Sequence, residues 1–324
     1  MRKTVHLCLS SHDEIMFRSE EDLNVGFNCL AAAVLETESR LMAEGFMTTH
    51  SHYLLQTDYF KQVIRLSRYA YARYFNAKYS RKGRLGERKY FVLEINGLHH
   101  TLSASNYVIR QGLHHGLAST PFGYEHCSAN ALFRKELGKT FGPPLLPDHL
   151  RHRFLPSHSG IPAKYRMSES GLLLREDIID TAYVEEIYIS PRNFLFQMNR
   201  IAGEEDFRKQ RDENGLPPVT METIENGVSG FNLARARVFE QGKVDKSKMT
   251  DLELCNLVDN AILPRYSKNG QRTSVYLLPE SRRAEIAENL WRESSEVLKW
   301  HKRGGPLQGK TVTENQLRRC LIIR

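Results

Sequence analysis

Apolar and polar residues alternate from Thr4 to Ser10, with Val5, Leu7 and Leu9 on one side and His6, Cys8 and Ser10 on the other. That two-residue period is the pattern of a half-buried strand. The spacing then lengthens. Leu23, Phe27, Leu30, Val34, Leu41 and Met42 lie broadly along one side of a helix predicted over residues 20–44, with Gly45 at its C-cap position. Residues 46–56 read as a strand, and 59–78 as a second amphipathic helix ended by Lys82-Gly83. Residues 84–95 read as a strand or hairpin, Asn96-Gly97 as a turn, and 98–113 as a third helix. The order β-α-β-α-β-α predicts an α+β sandwich with helices against a mainly antiparallel sheet.

Gly142-Pro143-Pro144 breaks this pattern and divides the chain into a first unit over 1–140 and a second over 141–324. Residues 145–170 are rich in Pro, His, Arg and Ser and read as irregular. The rest is expected to be mostly helical, over 175–200, 216–240, 250–262 and 279–300. Thr313-x-x-Gln316 is a capping box opening a last short helix. This region carries apolar stripes such as Leu252, Cys255, Val258 and Ile262. It also carries Arg282, Arg283, Lys299, Lys302, Arg303, Arg318 and Arg319. An accessory module that holds a polyanion and a structural cover over the sheet both fit.

Composition narrows the function classes. No apolar run approaches the roughly 18 residues of a membrane span, and Met1–His6 lacks the apolar stretch of a signal peptide. The five cysteines are scattered and none forms a C-x-x-C, which argues against a zinc knuckle or a disulfide framework and suits a reduced, cytoplasmic compartment. A net charge of +8 favours polyanionic partners.

Three constellations have chemical potential. In His50-Ser51-His52 the two imidazoles project from one strand face, the arrangement for sharing a divalent ion. The same pattern arises from two polar residues on a solvated face, and His99-His100 and His114-His115 are further pairs. Tyr107 and Gln111 stand one helical turn apart, pairing a phenol nucleophile with an amide ligand, or a buried tyrosine with a surface glutamine. The stretch from Tyr59 to Phe91 holds Lys61, Arg65, Arg68, Arg73, Lys78, Arg81, Lys82, Arg84, Arg88 and Lys89 against the single acid Glu87, interleaved with nine aromatics. Such a stretch can neutralise phosphates and stack unpaired bases, or be an amphipathic helix with core tyrosines and solvated arginines.

In this order along the chain, the residues resemble the single-tyrosine HUH transposases, and most closely the REP-associated tyrosine transposase branch. The resemblance runs from about Val5 to Leu132. It rests on His50-Ser51-His52-Tyr53-Leu54-Leu55, on Arg73-Tyr74-Phe75-Asn76-Ala77-Lys78-Tyr79-Ser80-Arg81-Lys82-Gly83, on Tyr107 with Gln111 four residues later, on Gly116-Leu117, and on Tyr124-Glu125-His126-Cys127-Ser128. Three positions depart from the family pattern. Ser51 stands where a hydrophobic residue is usual, Gly112 where a proline often follows the amide, and His126 where the family has tryptophan.

The resemblance implies a ferredoxin-like HUH sandwich and a transesterification dependent on Mg²⁺ or Mn²⁺. Tyr107 would be the catalytic nucleophile, and His50, His52 and Gln111 the metal ligands. The basic residues Arg65, Arg68, Arg73, Lys78, Arg81, Lys82, Arg84, Arg88 and Lys89 would contact nucleic acid. The implied partner is single-stranded DNA bearing hairpin-forming palindromic repeats, cleaved through a 5′-phosphotyrosine link that leaves a 3′-OH. A homodimer stays open, as does the identity of the base that takes the phenolic proton. Two alternatives share the fold or the chemistry: a nucleic-acid-binding regulator without nicking, and a plasmid relaxase or replication initiator, which the short chain and missing P-loop disfavour.

Overall fold

The computed structural model describes residues 2–139, 141–157, 159–199, 244–267, 273–302 and 309–323. Strands β1 (Thr4–Ser10), β2 (Arg40–Phe46), β3 (His50–Gln56) and β4 (Phe91–Ile95) form one antiparallel sheet in the order β2-β3-β1-β4. Helix α1 (Glu20–Glu36) connects β1 to β2, α2 (Phe60–Tyr79) connects β3 to β4, and α3 (Leu98–Ile109) follows β4. Because β3 lies between β1 and β2, and β1 between β3 and β4, each half is a split βαβ unit.

The stretch expected as one helix over 20–44 is a helix and a strand. A capping box starts α1: Asp22 N–H donates to Ser19 Oγ and Ser19 N–H to the Asp22 carboxylate. The helix stops at Glu36, and Glu38, at φ +49°, turns the chain into β2. Leu41 and Met42 sit at helical spacing by coincidence. β2 is buried on both faces, and such a strand has no alternation to betray it. The element order is therefore β-α-β-β-α-β-α, and Gly45 is a strand residue rather than a helix cap. The strand expected over 46–56 is β3 alone, entered through a tight turn in which Met47 N–H donates to His50 O.

Other boundaries move for identifiable reasons. α2 ends at Tyr79, with Ser80 left-handed at its C-cap, ahead of Lys82-Gly83. Of 84–95 only Phe91–Ile95 is strand. Gly86 (φ +71°) bends the preceding loop so that Glu87 N–H reaches Ser10 O, at 2.8 Å. The helix expected over 98–113 breaks at Arg110, and a single turn, α4 (Gln111–His114), continues it. β1 is not half-buried: Val5 to Leu9 are all buried. α1 and α2 cover one face, where Val5, Leu7, Leu9, Tyr53 and Leu55 meet Phe27, Leu30, Val63 and Phe75. α3 covers the other, where Leu54 and Ala43 meet Tyr107 and Val108.

In place of one helix over 175–200 there are three: α5 (Arg175–Ile178), α6 (Thr181–Tyr188) and α7 (Pro191–Asn199). Ile179 breaks the run by forming a β-bridge with Leu41, and Ile189 by a φ of +68°. Leu173, Ile178 and Ile179 join the core beneath α1 and α2, while Val184, Tyr188, Phe194 and Met198 join the core beneath α3. Farther on, α8 (Asp251–Leu257), α9 (Glu280–Lys302) and α10 (Glu314–Leu321) share a third core with Ile15. The helix expected over 250–262 changes to a wider π-helical turn at Val258, and the capping box at Thr313 forms as its spacing predicts. The buried Arg18 ties this region to the sheet unit, donating to Asp259 at 2.8 and 2.9 Å and to Cys320 O at 2.7 Å. The helix expected over 216–240 lies outside the described residues. Among the described residues no helix is long and apolar enough to cross a membrane.

Candidate active site

β1 and β3 place their histidines side by side. Antiparallel pairing sets Cys8 opposite His52 and Ser10 opposite His50, so His6, Cys8, His50 and His52 share the face under α3. Ser51 and Tyr53 point the other way, and their hydroxyls hydrogen-bond each other at 2.7 Å. The unusual Ser51 thus leaves the histidine face untouched and is satisfied within the opposite core.

α3 crosses this face closely because Gly45, paired with His52, has no side chain. A Cβ at Gly45 would stand 2.7 Å from Val108 O and 3.5 Å from Gln111 Cβ. Gly112 has a similar cause: a Cβ there would stand 2.4 Å from the Tyr124 ring. Tyr124 in turn donates to Phe46 O at 2.6 Å, and Ser128 Oγ accepts from Glu44 N–H at 2.6 Å. The segment 124–128 therefore clamps the β2 edge to α4. Gly45→Ala is expected to push α3 off the sheet and cost about 1–3 kcal/mol. Urea unfolding reads this as a lowered midpoint with an unchanged slope, and an unaltered midpoint would rule the close approach out.

The Tyr107 ring is buried, perpendicular to His52 with ring centres 5.2 Å apart, and edge-on to His6 at 5.7 Å. His6 Nε2 and His52 Nδ1 share a hydrogen bond of 3.1 Å, and His52 Nε2 faces Cys8 Sγ at 3.9 Å. Both rings are fully buried. Burial pushes the His6 pKa down to about 3 and, with the neighbouring imidazoles His50, His6, His115 and His114, holds His52 well below its ordinary value. Both are neutral at pH 7. Gln111 is buried one turn beyond Tyr107. Its Nε2 donates to Tyr107 O at 3.2 Å, while its Oε1 has no hydrogen-bond partner among the described residues. His50 sits at the rim, 5.1 Å from His52 between ring centres, and its Nε2 faces His115 Nε2 at 3.2 Å.

The structure thus brings Tyr107, His52 and Gln111 together under α3, with His50 at their edge. His6 and His115 were not singled out from sequence. Alternation along β1 already put His6 on the histidine face, whereas nothing in the spacing of His114-His115 aligned it with His50. Among the described residues, no group of three or more His, Cys, Asp or Glu side chains is arranged to hold a metal ion.

The basic stretch divides. α2 packs on the sheet face opposite Tyr107. Lys78 pairs with Asp22 at 2.7 Å and Arg81 with Glu14 at 2.5 Å, and Arg68 donates to Glu87 O. Arg65 and Arg73 are exposed on α2, Arg73 over the exposed Tyr69 ring at 5.7 Å. Lys82, Arg84, Arg88 and Lys89 are exposed on the loop that reaches Ser10, at the end of the sheet where Ser10 pairs with His50.

No family model matches the chain, and no curated protein matches it. Among solved structures it is similar to a REP-associated tyrosine transposase bound to a REP hairpin, with a TM-score of 0.34 and 8% identity over 44% of this chain and 84% of that one.

Proposed function

We propose that this chain nicks and rejoins single-stranded DNA by metal-assisted transesterification, on a ferredoxin-like HUH sandwich with Tyr107 as nucleophile. One juxtaposition carries the reading: the Tyr107 ring stands perpendicular to His52 at 5.2 Å, with the unpartnered Gln111 amide oxygen buried a turn beyond. The exposed Lys82, Arg84, Arg88 and Lys89 extend past the same sheet end as His50 and suit a backbone track. DNA with hairpin-forming repeats is the proposed substrate.

Imidazole nitrogens and an orphaned amide oxygen are a donor set for a divalent cation and suit a transition-metal ion such as Mn²⁺ better than Mg²⁺; His50, His52 and Gln111 would hold it. His52 would join only by giving up its contact with His6 or Cys8. Such an ion supplies Lewis-acid polarisation of a non-bridging phosphate oxygen. The neutral His6 and His52 add no positive charge of their own, so cationic help has to come from elsewhere. The Tyr107 oxygen attacks phosphorus, and the P–O bond to the 3′ oxygen breaks. The phenolic proton reaches the departing oxygen through water or imidazole. A 5′-phosphotyrosine and a 3′-OH result, and the reverse attack rejoins the strand.

His50→Ala combined with His52→Ala is expected to abolish strand cleavage while most single-strand binding persists, as read by denaturing gels and fluorescence anisotropy. Metal-independent cleavage by the double variant would sink the ligand assignment. One observation favours the second reading, a nucleic-acid-binding regulator: Tyr107 is only 3% exposed and His52 fully buried. A strand reaches them only after the α3–α4 region moves. A wild-type chain that binds the strand but never forms an adduct decides for that reading.

A further inference from the structure

We propose that His50 and His115 together chelate a transition-metal dication, which makes His115 a ligand that the H-x-H pattern does not contain. The proposal rests on the nicking reading for what the ion does, and on geometry for where it sits. His50 Nε2 and His115 Nε2 face each other at 3.2 Å. Two nitrogens each about 2.0–2.1 Å from one ion stand ~2.8–3.4 Å apart at octahedral to tetrahedral angles, so the pair is already at chelating distance. The far nitrogen of His50 is held as well: its Nδ1 lies 3.1 Å from Thr49 Oγ1. When Nδ1–H donates to that hydroxyl, Nε2 keeps its lone pair for a metal.

The helix supplies the rest. Tyr107, Gln111 and His115 recur every four residues, and His115 N–H donates to Gln111 O at 3.0 Å, so the α-helical turn carries on to His115. Gln111 and His115 therefore follow one face, and the buried Gln111 Oε1, which has no hydrogen-bond partner among the described residues, precedes His115 by one turn. His115 is exposed and His50 half-buried, which gives an ion an entry path. The fully buried His52, by contrast, directs its nitrogens at His6 and Cys8. Two imidazoles select a borderline ion such as Co²⁺, Ni²⁺ or Zn²⁺ over Mg²⁺.

The test is a titration of the metal-free full chain with CoCl₂, followed by visible absorption. Wild type is expected to bind Co²⁺, with little competition from Mg²⁺ at equal concentration. His115→Ala and His50→Ala are each expected to weaken binding tenfold or more, and His52→Ala to weaken it less. Urea unfolding without metal checks that the variants fold, and His115→Gln serves if His115→Ala does not. Wild type that gives no cobalt spectrum, or a folded His115 variant that binds cobalt as wild type does, overturns the proposal. Cobalt bound through His115 with no DNA adduct at Tyr107 leaves this site standing and removes the nicking reading. An adduct with an unaffected His115 variant does the reverse.

Discussion

Tyr107→Phe protein, mixed with hairpin-bearing single-stranded DNA and Mn²⁺, is expected to bind the strand and form no covalent adduct. The phenylalanine ring keeps the packing against His52, His6 and Val108 and removes only the attacking oxygen. Stability should shift by no more than about 1.5 kcal/mol, the worth of one hydrogen bond. Cleavage should fall by at least ~10³-fold, the scale on which removing a nucleophile acts. The other buried tyrosines are engaged elsewhere. Tyr53 bonds Ser51 on the far face of the sheet, Tyr71 donates to Met16 O, and Tyr79 to Asp22. Tyr124 donates to Phe46 O, and Tyr188 to Asn106 and Ser105. Tyr107 is the ring that meets the histidines. Wild-type protein should carry a DNA adduct that survives denaturing electrophoresis and maps by mass spectrometry to the peptide containing Tyr107. An adduct on another residue, or undiminished cleavage by the Phe variant, would refute the mechanism.

The parts of this arrangement that could be read from the sequence are those set by local periodicity. The two-residue period of Thr4–Ser10 and the i, i+2 spacing of His50 and His52 gave strand faces that the sheet keeps. The i, i+4 spacing of Tyr107 and Gln111 gave a pair that stays together across the break at Arg110, where the Gln111 side-chain amide, not its backbone N–H, bonds Tyr107 O. What failed was whatever depended on burial from a distance. β2 hid inside a helical stripe because both of its faces are covered. The basic stretch looked almost free of acids because Glu14, Glu21 and Asp22 lie more than fifty residues before the Lys78 and Arg81 that they neutralise. His115 meets His50 only because α4 folds back over the start of β3, and no local window contains both.

The same long-range packing decides where the chain can be cut. A chain ending after Lys139 retains all four strands and α1 to α4, yet it is expected not to fold cooperatively. Glu44 is fully buried on β2, and its carboxylate is paired with Arg175 Nε at 2.6 Å. Removing one partner of such a pair costs about 3–5 kcal/mol, since the other charge stays buried and unpaired. The cut also strips Leu173, Ile178 and Ile179 from one core, and Val184, Tyr188, Phe194 and Met198 from the other. At ~1.5–3 kcal/mol for each large apolar side chain buried, that loss reaches the ~5–15 kcal/mol by which a domain is stable at all. A cut after Asn199 keeps Arg175 and all seven side chains. It loses the cover that Asp259 and Cys320 give Arg18, a charge that water can then solvate. The expected result is a broad, non-cooperative urea transition for the shorter chain and a sharp one for the longer. A sharp transition for residues 1–139, with hairpin binding equal to that of the full chain, would show that residues 141–199 are an appendage and not part of the sheet unit.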